Sequence, residues 1–192
     1  MIIRQCREPD VALLERHIPS PGRNRYHEER FLRHQAGIST FLVVYLDDVP
    51  VGSGEVRWQG CDDPEVRRRY PGCPELNGLT VWPPERQSRG IGTALVREAE
   101  NIARQRGRRQ LGLGVADDNP RAAALYLRLG YQETGCRYVG TYPFVDDHGI
   151  RHEIAESCRF LVRSIQGGHA DVEGPTGPPG PAGRRPVAGS AQ

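Results

Sequence analysis

The sequence predicts an α/β domain in which a mixed sheet of six or seven strands is flanked by about four helices. Three observations support this fold class. Short apolar segments suited to β-strands lie near both ends of the region with globular composition. A hairpin pattern in the first half adds antiparallel strands. Two strand–helix–strand units follow in the second half, and such units place their strands in one sheet.

Composition separates a folded region, residues 1–163, from a C-terminal tail, residues 164–192. Gly and Pro make up nearly half of positions 167–192, and few side chains there suit a core. Such a segment buries too little surface to offset its chain entropy. Its glycines at every third position, Gly174 to Gly183, follow the collagen spacing, but the repeat is too short for a triple helix. We therefore expect one domain followed by a disordered tail.

The first part of the folded region predicts a strand, two helices and a hairpin. Ile2 and Ile3 begin the first strand, and Asp10 is expected to cap the first helix. A second helix is expected near Tyr26–Gln35. The hairpin joins residues 40–46 to residues 51–58 through a turn at 47–50.

The second part alternates strands and helices after a long loop. Residues 59–74 are polar and contain Pro and Gly, which favours a loop without regular structure. Apolar periodicity then predicts the remaining elements. They are a strand over 75–81, a turn over 82–89, a helix over 90–106, a strand over 110–115, a helix over 119–129, and strands over 131–139 and 153–162.

The charged residues exclude several classes of site. All 26 basic residues are arginine, so the chain has no lysine for a P-loop, a pyridoxal phosphate Schiff base or a protein-kinase site. The net charge of +2 is too small to indicate a nucleic-acid partner, and no apolar run is long enough to cross a membrane. We expect neither nucleic acid nor a membrane as a partner.

The five cysteines are odd in number and scattered, with no Cys-x-x-Cys pair, and the first residues lack the apolar core of a signal peptide. This pattern favours reduced thiols in a cytoplasmic protein without a metal site. Cys61 and Cys73 are the nearest pair. A disulfide or half of a metal site is the alternative for them, although no matching His or Cys pair accompanies them.

A glycine pair opens the amphipathic helix of the second half. Gly90 and Gly92 remove side chains from its first turn, so that free backbone N–H groups and the helix dipole can hold a phosphate. The alternative is a tight strand-to-helix turn without a ligand. A Rossmann dinucleotide site is excluded because Leu95 occupies the position of the third glycine.

A second motif begins at Asn119. Asn119 suits a helix N-cap, Pro120 suits the first helical position, and Gly130 ends the helix. Local structure alone is a sufficient alternative explanation, because Asn119 can serve only as a cap and Tyr126 only as a packed aromatic.

The two motifs together resemble the GNAT family of acyl-CoA-dependent N-acetyltransferases. The resemblance is carried by Leu79-Thr80-Val81, by Gln87-x-x-Gly90-x-Gly92 and by Asn119-x-x-Ala122-x-x-Leu125-Tyr126 followed by Gly130-Tyr131, and it covers residues 75–138 most closely. It implies a GNAT-like fold, acetyl-CoA as co-substrate and no metal. The cofactor-binding residues that it implies are Leu79, Thr80 and Val81 for the pantetheine arm, and Gln87, Ser88, Arg89, Gly90, Ile91, Gly92, Thr93 and Asn119 around the pyrophosphate.

The resemblance also implies catalytic roles. Tyr126 matches the general acid of the family, and Glu75 lies where histone-acetylating relatives carry a general base. Strand alternation predicts that Glu75 shares a face with Asn77, Leu79 and Val81. An ion pair with an arginine is the alternative role for Glu75, and many relatives use a water chain as the base. Gly112 and Gly114 depart from the pattern, because glycines weaken the strand on the far side of the cofactor. Trp82 also departs from it, because many relatives have a small polar residue at that position.

The expected activity is transfer of an acetyl group to a primary amine of a small molecule or of a protein or peptide. The acceptor is not specified by the sequence. Its candidate segments are residues 24–29, 59–74 and 138–152. The alternatives are a non-catalytic acyl-CoA-binding module and an aminoglycoside-type antibiotic acetyltransferase. A monomer or homodimer is expected.

Overall fold

The chain is described by a computed structural model over residues 1–20, 25–146 and 148–166. These residues form seven strands and five α-helices, which confirms the α/β fold with one helix more than expected. The elements are β1 Ile2–Gln5, α1 Glu8–His17, α2 Tyr26–Gln35, β2 Ser39–Leu46, β3 Val49–Arg57, α3 Pro64–Arg69, β4 Glu75–Val81, α4 Ile91–Gln105, β5 Gln110–Ala116, α5 Pro120–Arg128, β6 Gln132–Val145 and β7 Arg151–Ser164.

All seven strands lie in one mixed sheet with the order β1-β2-β3-β4-β5-β7-β6. Every neighbouring pair is antiparallel except β4 and β5, which run parallel. In the described chain, Glu75 and Gly112 are the only residues registered between those two strands. The Gly112 N–H donates to the Pro74 carbonyl oxygen at 2.9 Å. β4 and β5 are therefore hydrogen-bonded at the start of β4 and are not paired toward its end, which leaves an opening in the sheet.

The apolar residues of β2 are buried on both faces of the sheet, which explains why this strand is an unbroken apolar run. Leu42 and Val44 belong to the larger core, which α4 and α5 cover. Phe41 and Val43 belong to a second core, which α1 and α2 cover. The helices thus form one layer on each side of the sheet.

Two local predictions are wrong. The stretch 59–74 contains α3, whose N-terminus is capped by Asp63, because its Oδ1 accepts from the N–H groups of Glu65 at 3.0 Å and Val66 at 2.9 Å. Asp10 lies inside α1 rather than at its N-cap. Its carboxylate accepts from the Arg7 N–H at 2.7 Å and so satisfies the first turn from within.

The two last strands are longer than predicted. Because β7 ends at Ser164 and Ile165 is buried, the folded region extends past the boundary expected at residue 163. Residues 167–192, the remainder of the predicted disordered tail, lie outside the described residues.

Candidate functional site

A β-bulge interrupts β4 beside the opening of the sheet. Asn77 pairs with Glu55 of β3, and Thr80 pairs with Ser53, so that two residues, Gly78 and Leu79, lie opposite one residue of β3. Gly78 has φ +56°, a left-handed conformation that favours glycine. The amides of the bulge are thereby released from the ladder with β3.

The bulge reverses the alternation of side chains along β4. Leu76 packs in the core under α4, and Leu79 and Val81 pack against the same core. Glu75 lies on the opposite face, in the neighbourhood of Cys73 and Tyr138. The expectation that Glu75 shares a face with Leu79 and Val81 is therefore wrong, because strand parity holds only while the pleat is regular.

Glu75 is a buried carboxyl with an incomplete set of partners. Its side chain is 2% exposed, and its Oε2 makes no hydrogen bond within residues 1–20, 25–146 and 148–166. Arg57 Nη1 is the nearest cation, at 3.9 Å from Oε2. Burial raises the pKa of Glu75 to about 7, and the charge of Arg57 opposes that shift. A carboxyl with this pKa can accept a proton near neutral pH.

Gly114 of β5 gives this carboxyl space. A Cβ at that position would overlap the Tyr138 hydroxyl and would lie 3.6 Å from Glu75 Oε1. Because Gly114 has no side chain, Tyr138 of β6 and Glu75 of β4 can approach each other across β5.

The turn before α4 presents backbone donors. In the described part of the chain, no N–H group of residues 88–93 donates a hydrogen bond. Gly90 is the N-cap of α4 with φ +85°, and no acidic residue occupies the first turn. The N-terminus of a helix with free N–H groups attracts anions.

Gln87 has a different part in this turn. Its N–H donates to the Pro84 carbonyl oxygen at 3.0 Å, and its Nε2 donates to the Val81 carbonyl oxygen at 3.2 Å. These bonds join the end of β4 to the turn. Of the amides that the family resemblance implies, those of residues 88–93 are therefore the available ones.

Tyr126 lies on α5 at the edge of the larger core. It is 7% exposed, its ring centroid is 6.1 Å from that of Tyr131, and burial raises its pKa to about 12. Such a tyrosine stays protonated at neutral pH and can donate a proton to a stronger base.

Asn119 is explained by local structure. Its Oδ1 accepts from the Ala122 N–H at 3.0 Å, which makes it the N-cap of α5. Leu125 of this helix would lie 3.5 Å from a Cβ at Gly92, and Leu79 would lie 3.6 Å from it. The end of β4, the start of α4 and α5 therefore meet at one point.

Sequence reasoning missed two arginines that contact this region. Arg121, in the first turn of α5, donates from Nη2 to Ser88 Oγ at 3.0 Å. Arg30 of α2 donates from Nη2 to the Asn77 carbonyl oxygen at 2.9 Å and to the Gly78 carbonyl oxygen at 3.0 Å. The position of Arg121 two residues after Asn119 was a usable signal, whereas nothing in the sequence relates Arg30 to β4.

The candidate acceptor segments are only partly brought together. Tyr26 packs beside Gly78, and Tyr138 lies beside Glu75. The Tyr142 hydroxyl donates to Glu156 at 2.8 Å on the long hairpin of β6 and β7. Asn24 and Asp147 lie outside the described residues.

The hairpin of β6 and β7 also carries an acid–imidazole pair, in which His152 Nε2 lies 2.8 Å from Asp146 Oδ2.

In the described ranges, no group of three or more His, Cys, Asp or Glu is arranged to hold a metal ion. Over the same ranges no helix is both long and apolar enough to cross a membrane. All five cysteines are buried and free.

The family model of the acetyltransferase (GNAT) family matches residues 9–131 of the chain. The chain belongs to the GNAT family. The match covers the strands and helices that build the site, from α1 to the end of α5.

Solved GNAT structures resemble this fold over most of the chain. A GNAT-family acetyltransferase from Desulfovibrio desulfuricans is 18% identical with a TM-score of 0.61, over 85% of this chain and 98% of its own. The ribosomal-protein-S18-alanine N-acetyltransferase of Escherichia coli is 19% identical with a TM-score of 0.60, over 89% and 97%. An acetyltransferase from Salmonella typhimurium, solved with acetyl-CoA, is 18% identical with a TM-score of 0.59, over 86% and 95%.

A curated relative matches a shorter stretch. An uncharacterised N-acetyltransferase of Methanocaldococcus jannaschii is 46% identical over 50 residues, which are 26% of this chain and 22% of the relative. The match therefore spans about a fifth of the length of that relative. The solved structures share the GNAT fold with this chain. Because their sequence identity to it is low, they do not identify its acceptor.

Proposed function

We propose that this GNAT protein transfers the acetyl group of acetyl-CoA to a primary amine of a small molecule or of a protein or peptide by direct attack. The observation that carries the proposal is the opening of the sheet between β4 and β5. Free amides of residues 88–93 lie in the turn that follows the end of β4, Glu75 is the first residue of β4, and Tyr126 lies on α5.

The donor set suits a diphosphate. Amides at a helix N-terminus bind phosphate oxygens, and the helix dipole adds to the attraction. Arg121 lies against Ser88 and, with Arg89, adds positive charge beside the turn. We infer that the backbone of Leu79, Thr80 and Val81 binds the pantetheine arm in the manner of an added strand, because the side of β4 that faces β5 is unpaired there.

The chemistry needs a base and an acid. Acetyl-CoA supplies an acetyl group activated as a thioester. Glu75 takes a proton from the ammonium form of the acceptor, so that a neutral nitrogen attacks. A C–N bond forms at the acetyl carbon, the C–S bond breaks, and the nitrogen releases its second proton to solvent to give the neutral amide. Tyr126 gives its proton to the leaving sulfur and recovers one from solvent, and the Leu79 N–H stabilises negative charge on the carbonyl oxygen.

Two observations favour catalysis over a non-catalytic acyl-CoA-binding module. Glu75 is buried with an oxygen that has no hydrogen bond in the described chain, and an unsatisfied buried group costs stability. Burial raises the pKa of Tyr126 to about 12, so its hydroxyl keeps its proton at neutral pH. Groups of this kind are typical of active sites rather than of binding surfaces alone.

The test of the activity is a panel of amines that follows free thiol released from acetyl-CoA. The panel includes alkyl amines, polyamines, aminoglycosides and peptides with free N-termini. Release of thiol that depends on an amine supports the transferase and identifies the acceptor class. If CoA binds but no amine accelerates thiol release, the non-catalytic module is the correct function.

The test of the cofactor site uses calorimetry with CoA. Gly92→Glu places a carboxylate among the amides and should lower CoA affinity by at least about tenfold. This variant should fold, because a glutamate suits the first turn of a helix. Gln105→Glu, at the other end of α4, is the matched control and should bind CoA as wild type does. Equal affinities in all three proteins would contradict the placement of the pyrophosphate.

A further inference from the structure

Arg30 is a buried cation that reaches the β4 bulge from the other side of the sheet. It is 1% exposed, and its guanidinium lies 4.5 Å from the Tyr26 ring centroid and 5.2 Å from that of Phe41. Burial of a charge costs several kcal/mol unless its partners compensate. Arg30 donates two hydrogen bonds to backbone carbonyl oxygens of the bulge, those of Asn77 and Gly78.

The charge of Arg30 is balanced by Glu55 of β3. Glu55 is fully buried, and Arg30 Nε lies 3.5 Å from its Oε2. Arg33, one turn further along α2, donates to both oxygens of Glu55 at 2.8 Å. Arg33 therefore shares the carboxylate with Arg30, but no hydrogen bond in the described chain joins it to β4. Replacing Arg33 therefore changes only the ion pairs with Glu55, whereas replacing Arg30 also removes the hydrogen bonds to the bulge.

Gly78 and Arg30 are matched in shape. A Cβ at Gly78 would overlap the Arg30 guanidinium and would approach the Tyr26 hydroxyl. Glycine at this position therefore serves both the left-handed backbone and the close approach of the arginine.

The contact with Gly78 determines the direction of the next amide. The carbonyl of Gly78 and the N–H of Leu79 belong to one peptide unit, which is planar and trans, so they point in opposite directions. Arg30 holds that carbonyl oxygen at 3.0 Å. The Leu79 N–H must then point away from the guanidinium, and in the register of β3 and β4 it has no partner.

We propose that Arg30 is a positioning residue that aims the Leu79 N–H at the carbonyl oxygen of the bound thioester. The inference rests on the proposed acetyl transfer and adds to it a residue on α2, outside both sequence motifs. Without the guanidinium, the Gly78–Leu79 peptide is free to rotate, and the donor at the carbonyl oxygen is lost.

The experiment compares Arg30→Met with Arg33→Met. Methionine keeps an apolar stem at each position, and both variants remove one arginine from Glu55. Only Arg30→Met removes the donors to the bulge. Each protein is titrated with CoA and with acetyl-CoA labelled with ¹³C at the carbonyl carbon, and kcat is measured with the best amine of the panel.

Arg30→Met should bind CoA as wild type does within about twofold, because the amides that hold phosphate are unchanged. It should lose the downfield shift that a hydrogen bond gives the bound ¹³C carbonyl, and its kcat should fall about 10²-fold, the effect of removing one such donor. Arg33→Met should keep the shift and most of kcat. If Arg30→Met does not fold, Arg30→Gln is measured in its place, because its shorter side chain ends before the position of Nη2, the single nitrogen that donates to both carbonyls.

Several results would overturn the proposal. They are an unchanged carbonyl shift and kcat in the Arg30 variant, equal losses in the Arg33 variant, and a wild-type complex without a downfield shift. The last result would contradict only the role of the Leu79 amide. The thiol-release assay would then decide whether the protein transfers acetyl groups. A wild-type protein that binds neither CoA nor acetyl-CoA would overturn both proposals.

Discussion

Replacing Glu75 by Gln removes a carboxyl whose titration should govern both stability and rate near neutral pH. Burial raises the pKa of this group from 4.5 to about 7. One pKa unit corresponds to about 1.4 kcal/mol, so the shift is worth about 3 kcal/mol. The group is almost fully buried, and therefore screening by solvent does not reduce this figure substantially.

The sign follows from proton binding. Between pH 4.5, the ordinary value, and pH 7, the folded chain holds this proton more often than the unfolded chain. Stability therefore falls as the pH rises through this window, and the loss is complete above the folded pKa. The Gln variant has no such titration. Relative to wild type, it should gain about 2–3 kcal/mol between about pH 5 and pH 8.

Urea unfolding of both proteins at several pH values between about 5 and 8 measures this difference. In the same range, kcat/KM of the wild type should rise with pH through about 7, and the Gln variant should be slow at every pH. Glu65→Gln removes an exposed carboxyl on α3 and is the control. Two results would refute the reasoning. One is a stability difference between the two proteins that stays constant with pH, and the other is a wild-type kcat/KM that does not change with pH near neutrality.

Two further predictions concern α5. Tyr126→Phe should lower kcat by about 10²-fold and leave CoA affinity unchanged, because it removes only the acid; Tyr131→Phe, which removes the neighbouring hydroxyl, should leave kcat unchanged, and equal effects would contradict the assignment. Arg121→Ala should weaken CoA binding about threefold to tenfold in calorimetry, because a cation beside Ser88 is lost. Arg128→Ala, at the other end of the helix, should bind CoA normally; if it loses as much affinity, the effect is one of net charge.

Local signals predicted the elements that carry the cofactor motifs. The bounds of β4 agree with the predicted strand over 75–81, because apolar residues there stand between turn residues. Gly90 with φ +85° and the capping bond of Asn119 both satisfy rules that act within a few residues. The predicted fold class was confirmed for the same reason, since it follows from the order of these elements.

The error in the face of Glu75 arises where distant residues meet. A glycine inside a strand indicates a bulge, but the sequence does not show which residues the bulge moves to the other face. The fold also brings Arg30, 47 residues from Asn77 in the chain, against the carbonyl oxygens of the bulge. The alternative role for Glu75, an ion pair with an arginine, is met only at 3.9 Å by Arg57, and burial outweighs it.

The sequence by itself determined the order of strands and helices, the glycine turn before α4 and the cap of α5, because each depends on short-range backbone preferences. The tertiary structure alone decided the direction of the Leu79 amide, the near-neutral pKa of Glu75 and the contact of Arg121 with the turn. These properties depend on burial and on hydrogen bonds between elements far apart in the chain. Spacing along a sequence does not encode such distances, whereas the packed sheet brings the groups within a few ångströms of one another.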